Sequence, residues 1–225
     1  MTSTLYLCAN HIGQLKDLPP RTIEILQLAD VVLCEDTRSA GRLMSALGLR
    51  KTLTSYFNFN EEKRTEELRT RLANEELQIA LISESGMPLI SDPGYRIVGL
   101  FHELGLPIET IPGPSAFVTA LIMSGFPLQR FQYVGFWPIK KGQQTKLLNE
   151  VALAGYPFVF YESPHRILKS VTEIAAQKPE LQVFVVKELT KPYETYWRGT
   201  AVDVANQLKD ATLKGEFTVV LYHTS

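Results

Sequence analysis

The chain has 225 residues, of which 45% are hydrophobic and 21% are charged, and its formal net charge at pH 7 is −1. This is the composition of a folded soluble protein with apolar residues for one large or two small cores. The near-neutral charge argues against a strongly basic nucleic-acid-binding protein. The halves nevertheless differ: residues 1–112 have 11 Lys and Arg against 15 Asp and Glu, and residues 113–225 have 12 against 9. A polyanion would therefore favour the second half.

The sequence gives no support for a membrane-spanning protein, a secreted protein or a metal-binding protein. No apolar run approaches the roughly 20 residues of a membrane-spanning helix, and the N-terminus lacks the basic flank of a signal peptide. The two cysteines, Cys8 and Cys34, lie inside predicted buried strands, which favours reduced thiols in a cytoplasmic protein. No pair of cysteines or histidines has zinc-binding spacing, so we predict no metal.

Short apolar runs and helical patterns alternate through the first half of the chain. Helical patterns are opened by the Pro19-Pro20 pair, by Asp36 or Thr37 as a cap, by Glu61 and by Tyr95. Strands that alternate with helices at this spacing predict a parallel sheet with right-handed crossovers. The predicted strands are residues 4–9, Val31–Cys34, 52–55, Gln78–Ile82 and Ile108–Ile111.

The segment Pro112-Gly113-Pro114-Ser115-Ala116 predicts the boundary between two domains, residues 1–112 and 113–225, and Ser115 could cap the helix that follows. Residues 195–198 predict a short antiparallel strand in the second domain. The fold class is therefore α/β, with two α/β domains, a mainly parallel sheet in the first and a mixed sheet in the second. The other strands of the second domain are predicted at 131–136, 158–161, Gln182–Lys187 and Phe217–Tyr222.

The stretch from Ser83 to Gly94 joins a predicted strand to a predicted helix. Its sequence is Ser83-Glu84-Ser85-Gly86-Met87-Pro88-Leu89-Ile90-Ser91-Asp92-Pro93-Gly94. Two prolines bias the preceding residues away from the helical region, and the glycines allow tight turns or close approach to a ligand. In open α/β sheets, ligands bind beyond the carboxyl ends of the strands. This loop is therefore either a binding loop or a long structural turn.

Polar clusters follow several predicted strands. They are Glu35-Asp36-Thr37-Arg38, Glu162-Ser163-Pro164-His165-Arg166 and Lys187-Glu188-Leu189-Thr190-Lys191. Each has a structural alternative: Asp36 as a helix cap, Glu162 and Arg166 as an ion pair four residues apart, and Lys187 and Glu188 as surface residues. Their recurrence at strand ends in two domains favours one cleft between the domains.

The common phosphate and nucleophile motifs are missing from these strand ends. No GxGxxG or Walker sequence follows a strand, and Gly113-Pro114-Ser115 is not a GxSxG elbow between strand and helix. The residues alone therefore leave two possibilities, an enzyme that uses a diffusible organic cofactor and a binding protein on an enzyme scaffold.

The loop Ser83 to Gly94 resembles the "SDAGTPLISDPG" loop of the ribosomal RNA small-subunit methyltransferase I family, in the tetrapyrrole (corrin/porphyrin) methylase superfamily. The resemblance extends over nearly the whole chain. It includes Glu35-Asp36-Thr37-Arg38, Pro112-Gly113-Pro114-Ser115-Ala116, Phe160-Tyr161-Glu162-Ser163-Pro164-His165-Arg166, Glu188-Leu189-Thr190-Lys191 and Lys214-Gly215-Glu216-Phe217.

The resemblance implies a homodimer in which S-adenosylmethionine is bound in the cleft between two α/β domains. It also implies 2′-O-methylation of a cytidine ribose in small-subunit ribosomal RNA. The cofactor contacts that it implies in this chain are Ser85, Gly86, Met87, Ile90, Ser115, Ala116, Tyr161 and Leu189.

The chain departs from the family pattern in its loops. "SDAGTP" is Ser83-Glu84-Ser85-Gly86-Met87-Pro88 here, and "TPIGN" begins with Asn10-His11. Phenylalanine occupies both histidine positions of "SYHEHNE", and Tyr193 occupies the histidine position of "LTKxHE". The printed sequence also ends before the C-terminal extension common in the family. A conserved scaffold with altered loops leaves three hypotheses: an RNA methyltransferase, a non-catalytic dimeric relative, and an enzyme that methylates a small molecule such as a tetrapyrrole.

Under the leading hypothesis, a ribose hydroxyl must lose its proton to a base or to an acceptor that orients it. Asp36 and Glu162 are the candidates for this catalytic role. Backbone phosphates are bound by arginine and lysine. The candidates for those contacts are Arg38, Lys140, Lys141, Arg166 and Lys191.

Overall fold

The computed structural model describes residues 2–224, which form two compact units. One unit extends to Pro114 and the other begins at Ser115. This division lies two residues after the boundary expected from the Pro112-Gly113-Pro114 segment.

The first unit contains a five-stranded sheet in which every pair of neighbouring strands is parallel. The strand order is β3-β2-β4-β1-β5, so β1, β2 and β4 are central neighbours. A parallel sheet is covered on both faces, which explains why its central strands are continuous apolar runs. The strands are β1 Thr4–Cys8, β2 Val31–Cys34, β3 Leu53–Ser55, β4 Gln78–Ile82 and β5 Ile108–Ile111.

Four α-helices and one short 3₁₀ turn connect these strands. The prediction that α1 opens at the proline pair is confirmed, with proline in its first turn. The 3₁₀ turn Leu15–Asp17 is one that the sequence analysis did not predict. The helices are α1 Pro20–Leu28, α2 Thr37–Ala46, α3 Glu61–Leu72 and α4 Tyr95–Glu103.

Apolar clusters cover the two faces of this sheet. One contains Cys8 and Cys34 with residues of α1 and α2, and the other contains Leu5 and Leu33 with residues of α3 and α4. The prediction that the two cysteines are buried and unlinked is confirmed. Burial raises the pKa of Cys8 to about 12 and that of Cys34 to about 11, so both thiols are protonated at neutral pH.

The second unit contains a mixed five-stranded sheet with the order β6-β7-β10-β8-β9. Only the β6–β7 pair is parallel, and β9 pairs antiparallel with β8, as predicted for the extra strand. The elements are α5 Ala116–Ser124, β6 Gln132–Phe136, α6 Lys141–Ala154, β7 Phe158–Glu162, α7 Ile167–Gln177, β8 Gln182–Lys187, β9 Thr195–Thr200, α8 Ala201–Lys209 and β10 Phe217–Tyr222.

Ser115 occupies the N-cap position of α5, but its side chain makes no capping hydrogen bond. Its carbonyl oxygen instead accepts a hydrogen bond from the Thr119 hydroxyl at 2.9 Å. Among residues 2–224, none of the helices is both long enough and apolar enough to span a bilayer. The same residues contain no group of three His, Cys, Asp or Glu arranged to hold a metal ion.

Candidate functional site

The loop that follows β4 is fastened at its start to the end of β1. The backbone N–H of Asn10 donates to the Gly86 carbonyl at 2.8 Å, and the Asn10 side-chain amide donates to the Ser83 and Glu84 carbonyls at 3.1 Å. The Ser83 hydroxyl also donates to the Gly86 carbonyl at 2.8 Å. Asn10 is buried, so these hydrogen bonds are shielded from water. They fix the backbone at Gly86, where the φ angle is +73°.

The end of the same loop is held by Glu61, a buried carboxylate at the start of α3. One of its oxygens accepts hydrogen bonds from the backbone N–H groups of Gly94 and Arg96 at 3.0 and 3.1 Å, and from the Tyr56 hydroxyl at 3.2 Å. These N–H groups belong to the first turn of α4, where a negative charge is favourable. Both ends of the loop are therefore fixed by buried polar side chains.

Gly94 itself leaves no room for a side chain. Its φ is +142°, and a Cβ there would lie 2.8 Å from a methyl group of Leu81 and 2.9 Å from Leu89. The glycine is therefore required for close packing between the loop and β4.

Backbone strain is concentrated around two residues that the family resemblance assigns to the cofactor. Among the described non-glycine residues, positive φ angles occur at Leu89, Ser91, Glu188 and Thr190, with values from 53° to 68°. The first pair flanks Ile90, and the second pair flanks Leu189. Such conformations cost of order 1–3 kcal/mol each and cluster at ligand-binding sites. Their location supports a binding role for both loops.

The loop after β8 is braced by a set of charged contacts. Glu188 accepts hydrogen bonds from the Lys191 ammonium and the Glu216 N–H, each at 3.0 Å, and Lys191 also pairs with the Glu216 carboxylate at 2.9 Å. A Cβ on Gly215 would lie 2.5 Å from Glu188, so glycine is required beside this carboxylate. Lys191, a predicted phosphate contact, is thus already shared by two carboxylates.

Lys187, which precedes this loop, is buried, and its ammonium donates to the Thr212 carbonyl at 3.1 Å. The alternative that treated Lys187 as a solvated surface residue is therefore wrong. A buried lysine needs such a partner to offset the loss of hydration.

Asp36 is the N-cap residue of α2, as predicted. Its carboxylate accepts a hydrogen bond from the backbone N–H of Arg38 at 2.8 Å, and the Arg38 guanidinium donates to both of its oxygens at 2.8–3.2 Å. The Arg38 side chain is the main cause that lowers the pKa of Asp36 to about 2. Asp36 is therefore ionised near neutral pH and serves as a hydrogen-bond acceptor more readily than as a proton acceptor.

Glu162 lies at the end of β7 with its side chain fully buried. One oxygen accepts the backbone N–H of Ser163 at 2.7 Å, and the other accepts the Ser170 hydroxyl at 2.6 Å and lies 3.2 Å from the Arg166 guanidinium. Arg166 also donates to the Trp137 carbonyl at 2.9 Å. The pair predicted four residues apart is present, and it holds the start of α7 against the end of β6.

Tyr161 belongs to a row of aromatic rings in the second unit. Its ring centroid lies 5.6 Å from that of Tyr133 and 5.9 Å from that of Phe136, and Tyr133 lies 4.7 Å from Phe117. Phe117 is in the first turn of α5, directly after Ser115 and Ala116. This row therefore connects three of the residues that the resemblance assigns to the cofactor.

Lys140 and Lys141 are exposed at the N-terminal end of α6, where Lys140 is the N-cap residue. The first turn of this helix contains no acidic residue. Positive charge at a helix N-terminus opposes the helix dipole and is unfavourable for stability. The same end of a helix is a good site for an anion, so the placement favours a phosphate-binding role.

A cavity of about 330 Å³ opens at the carboxyl ends of β1, β2 and β4 in the first unit. Asp36 and Glu84 are among the residues that line it. Glu84 stands where the family loop has an aspartate, and its longer side chain leaves this space open. Its lining consists of Asn10, His11, Leu15, Cys34, Glu35, Asp36, Ser39, Ala40, Arg42, Leu43, Ala46, Ile82, Ser83 and Glu84.

Comparison with known proteins identifies the family. The model of the family described as Tetrapyrrole (Corrin/Porphyrin) Methylases matches residues 4–205. Curated relatives named ribosomal RNA small subunit methyltransferase I include one from Halalkalibacterium halodurans, 39% identical over 97% of this chain and 75% of the relative. Another, from Thermotoga maritima, is 34% identical over 96% of this chain and 97% of the relative. The chain belongs to the ribosomal RNA small subunit methyltransferase I family of tetrapyrrole methylases.

Solved structures show the same fold at lower identity. Uroporphyrin III C-methyl transferase from Thermus thermophilus has a TM-score of 0.65 and 19% identity, with 98% of this chain and 97% of that chain covered. Diphthine synthase has a TM-score of 0.76 and 15% identity, with 98% and 90% covered. The predicted tetrapyrrole methylase-like fold is therefore confirmed.

One residue of this methylase family loop has an ionisation that sequence reasoning did not foresee. Burial, followed by the nearby charges of Glu35 and Glu84, raises the pKa of Asp92 to about 7. From the sequence, Asp92 is marked only as a residue that the following proline biases away from the helical region. Glu35 and Glu84 each follow a predicted strand, but their approach to Asp92 is a property of the folded sheet that the sequence does not reveal.

The raised pKa predicts how stability depends on pH. The folded state favours protonated Asp92, because its folded pKa of about 7 lies above the unfolded value of about 3.9. Its contribution to stability is complete below about pH 4 and is lost as the pH rises through 7. Asp92→Asn should therefore raise the Tm at pH 8 by a few degrees and leave it nearly unchanged at pH 4, as measured by circular dichroism.

The matched control is Asp210→Asn, which neutralises an exposed aspartate after α8. Its effect on the Tm should be small at both pH values. An Asp92→Asn variant whose Tm differs from the wild type equally at pH 4 and pH 8 would contradict the assignment.

Proposed function

We propose that this chain is an S-adenosylmethionine-dependent methyltransferase that methylates the 2′-hydroxyl of a cytidine ribose in small-subunit ribosomal RNA. The observation that carries the proposal is the 34–39% identity to relatives of that name, which extends over at least 96% of this chain in the first seven of them. The altered residues Glu84 and Met87 lie within a loop whose backbone is held at both ends.

The proposed cofactor contacts lie on one segment of the first unit and on three segments of the second. In the first unit the contacts are Ser85, Gly86, Met87 and Ile90, on the loop held by Asn10 and Glu61. In the second unit they are Ser115, Ala116, Tyr161 and Leu189. The support is physical: strained residues flank Ile90 and Leu189, and the ring of Tyr161 lies in an aromatic row that begins beside Ala116. Strain that is retained at two loops is best explained by a ligand that needs those shapes.

S-adenosylmethionine supplies an electrophilic methyl group, and the residues of this chain hold the methyl donor and the acceptor in position. Methyl transfer is an in-line displacement, so holding donor and acceptor at attack distance provides much of the barrier reduction. Asp36, with its pKa near 2, is proposed to accept a hydrogen bond from the ribose hydroxyl and to orient it. Glu162 remains a candidate for the second catalytic position, but its contacts favour a role in positioning Arg166 and the start of α7.

The proposed RNA contacts are cations of both units. Lys140 and Lys141 have the strongest structural support, because they lie at a helix N-terminus with no compensating acid. Arg38 is exposed but is engaged with Asp36, and Lys191 is engaged with Glu188 and Glu216. Arg166 is partly exposed beside Glu162. These three can contact phosphate only with the part of each cation that faces away from its partner.

A Lys140→Ala/Lys141→Ala variant tests the RNA part of the proposal. Each phosphate contact contributes about 0.7–0.9 to the slope of log K against log salt concentration. We expect weaker binding of small-subunit RNA and a slope reduced by about 1.4–1.8, with unchanged affinity for S-adenosylmethionine. Filter binding at several salt concentrations measures the slope.

A Lys169→Ala/Lys209→Ala variant is the control, since it removes the same charge from exposed sites on α7 and α8. Its slope should stay within experimental error of the wild type. Equal slopes for the two double variants would contradict a phosphate-binding role for α6.

Measurements of methyl transfer distinguish the proposed function from two alternatives. A non-catalytic relative would bind S-adenosylmethionine or RNA without transferring a methyl group. An enzyme for small molecules would methylate a tetrapyrrole such as uroporphyrinogen III and leave RNA unmodified. The proposal expects methyl transfer that requires small-subunit RNA, together with cofactor binding in a calorimeter. Methyl transfer to the tetrapyrrole in the absence of RNA would contradict it.

The proposal includes a second copy of the chain and a cytoplasmic location. The homodimer follows from the family resemblance, and exposed apolar residues such as Ile122 on α5 and Leu153 on α6 offer surfaces for it. The location follows from the ribosomal substrate.

A further inference from the structure

The cavity in the first unit has an apolar floor and a charged rim. The side chains that form this floor are all buried, and they are Cys34, Ala40, Leu43 and Ile82. Around them, at the strand ends and on α2, the lining includes three carboxylates and one guanidinium, from Glu35, Asp36, Glu84 and Arg42. An apolar floor with a few polar groups at the edge is the usual lining of a small-ligand pocket.

The volume and the charge restrict what this cavity accepts. About 330 Å³ lies at the lower end of the range for ligand pockets, about 300–1,000 Å³, so the space suits one ring system with a small substituent. Three carboxylates against one arginine repel a phosphate group. The same carboxylates accept hydrogen bonds from an amine. A flat neutral ring that carries an amino group fits both restrictions.

Most polar groups at this site already have partners within the protein. Both oxygens of Asp36 are engaged by Arg38, and the Asn10 amide is engaged by the carbonyls of Ser83 and Glu84. The Glu35 carboxylate, in contrast, makes no hydrogen bond or ion pair with any other residue that the structure describes. It follows Cys34 directly, at the end of β2, and lines the cavity. Glu35 is thus the carboxylate with its acceptor capacity available for a ligand.

We propose that this cavity holds the base of the target nucleotide, turned out of the RNA, and that Glu35 accepts a hydrogen bond from the exocyclic amine of cytosine. Enzymes that modify a nucleotide commonly flip it into a pocket and read its Watson–Crick edge there. Carboxylates are natural acceptors for cytosine N4. Uracil carries a carbonyl oxygen at that position, which a carboxylate repels. The cavity would therefore select cytidine over uridine.

A base bound in this cavity would also give Asp36 a role. The cavity includes Asp36 beside Glu35, and a ribose attached to the bound base would lie nearer the rim than the floor. Asp36 could then orient the 2′-hydroxyl while Glu35 holds the base. The inference rests on the proposed function, because it assigns the base-reading part of the same reaction.

The test compares two RNA substrates in single-turnover methyl transfer. Small ribosomal subunits carry either cytidine or uridine at the nucleotide that the wild-type protein modifies, and labelled S-adenosylmethionine supplies the methyl group. The wild type should strongly prefer cytidine. Glu35→Gln should lower the cytidine-to-uridine rate ratio by roughly 10-fold, because an amide can donate to the uracil carbonyl and is a weaker acceptor for the amine.

Glu24→Gln is the matched control, since Glu24 is exposed on α1 and lies outside the cavity. Its rate ratio should equal that of the wild type. A Glu35→Gln variant that folds, binds S-adenosylmethionine and keeps the wild-type ratio would overturn the inference while the proposed function stands. A wild type that methylates cytidine and uridine equally would do the same. A wild type that transfers no methyl group to RNA would refute the proposed function and the base-reading role with it.

Discussion

Gly86→Val should reduce the affinity for S-adenosylmethionine at least 100-fold. Gly86 is buried in the loop after β4, and its carbonyl accepts hydrogen bonds from Asn10 and Ser83 that fix the local backbone. A valine side chain would occupy the space proposed for the cofactor beside this backbone, and its β-branch is poorly accommodated at a φ of +73°. Isothermal titration calorimetry measures the loss.

The positive φ at Gly86 means that valine also costs stability, so the control must carry the same strain. Gly105→Val serves this purpose, because Gly105 has a φ of +64°, follows α4, and has open space where a Cβ would be added. We expect similar reductions in Tm for the two variants but a loss of cofactor affinity only for Gly86→Val. Equal affinities in both would show that the cofactor does not approach the loop at Gly86.

Glu162→Ala should lower the free energy of unfolding by about 2–4 kcal/mol. The substitution removes the acceptor for the Ser163 N–H and the buried Ser170 hydroxyl, and it deprives Arg166 of its carboxylate partner. Buried polar groups left without partners cost about 1–3 kcal/mol each, and breaking a buried ion pair is strongly destabilising. Urea denaturation followed by circular dichroism gives the value.

Two further variants test whether the lost hydrogen bonds of Glu162 cause the decrease in the free energy of unfolding. Glu162→Gln keeps an acceptor for the serine groups and should lose less stability than Glu162→Ala. Glu180→Ala removes an exposed carboxylate of the same unit and should change the free energy of unfolding by less than about 0.5 kcal/mol. If Glu162→Ala were as stable as the wild type, the buried contacts around β7 and α7 would not have the structural importance assigned to them.

The order and bounds of the secondary structure could be predicted because the apolar runs are short and clearly punctuated. Val31–Cys34, Gln78–Ile82 and Phe217–Tyr222 have the predicted bounds, and β9 pairs antiparallel as expected. Element ends were less predictable. The first strand was predicted at residues 4–9, but β1 ends at Cys8, and β3 begins at Leu53 where residue 52 was predicted.

The tertiary contacts that shape the candidate site could not be predicted from local patterns. The sequence predicted only that Glu61 opens a helix, yet Glu61 is buried and holds the start of α4 through hydrogen bonds to residues 33 and 35 positions away. The raised pKa of Asp92 likewise depends on Glu35 and Glu84, which approach it only in the folded sheet. Sequence spacing contains no signal for such contacts, because they depend on how strand ends meet.

The positive φ angles in the two loops also could not be predicted from local sequence patterns. No residue preference marks Leu89 or Glu188 for a positive φ, since both are disfavoured there by their side chains. These angles belong to loops whose shape exists only in the folded chain. The family resemblance indicated Ile90 and Leu189 as cofactor contacts, and the strained residues beside them supply an independent physical reason to examine the same loops.

Mass spectrometry of the methylated nucleoside tests the central claim most directly. The protein is incubated with small ribosomal subunits that lack the modification and with S-adenosylmethionine carrying an isotopically labelled methyl group, and the RNA is then digested to nucleosides. The account predicts labelled 2′-O-methylcytidine as the product. Label on a base, on the ribose of another nucleoside, or in no nucleoside at all would contradict it.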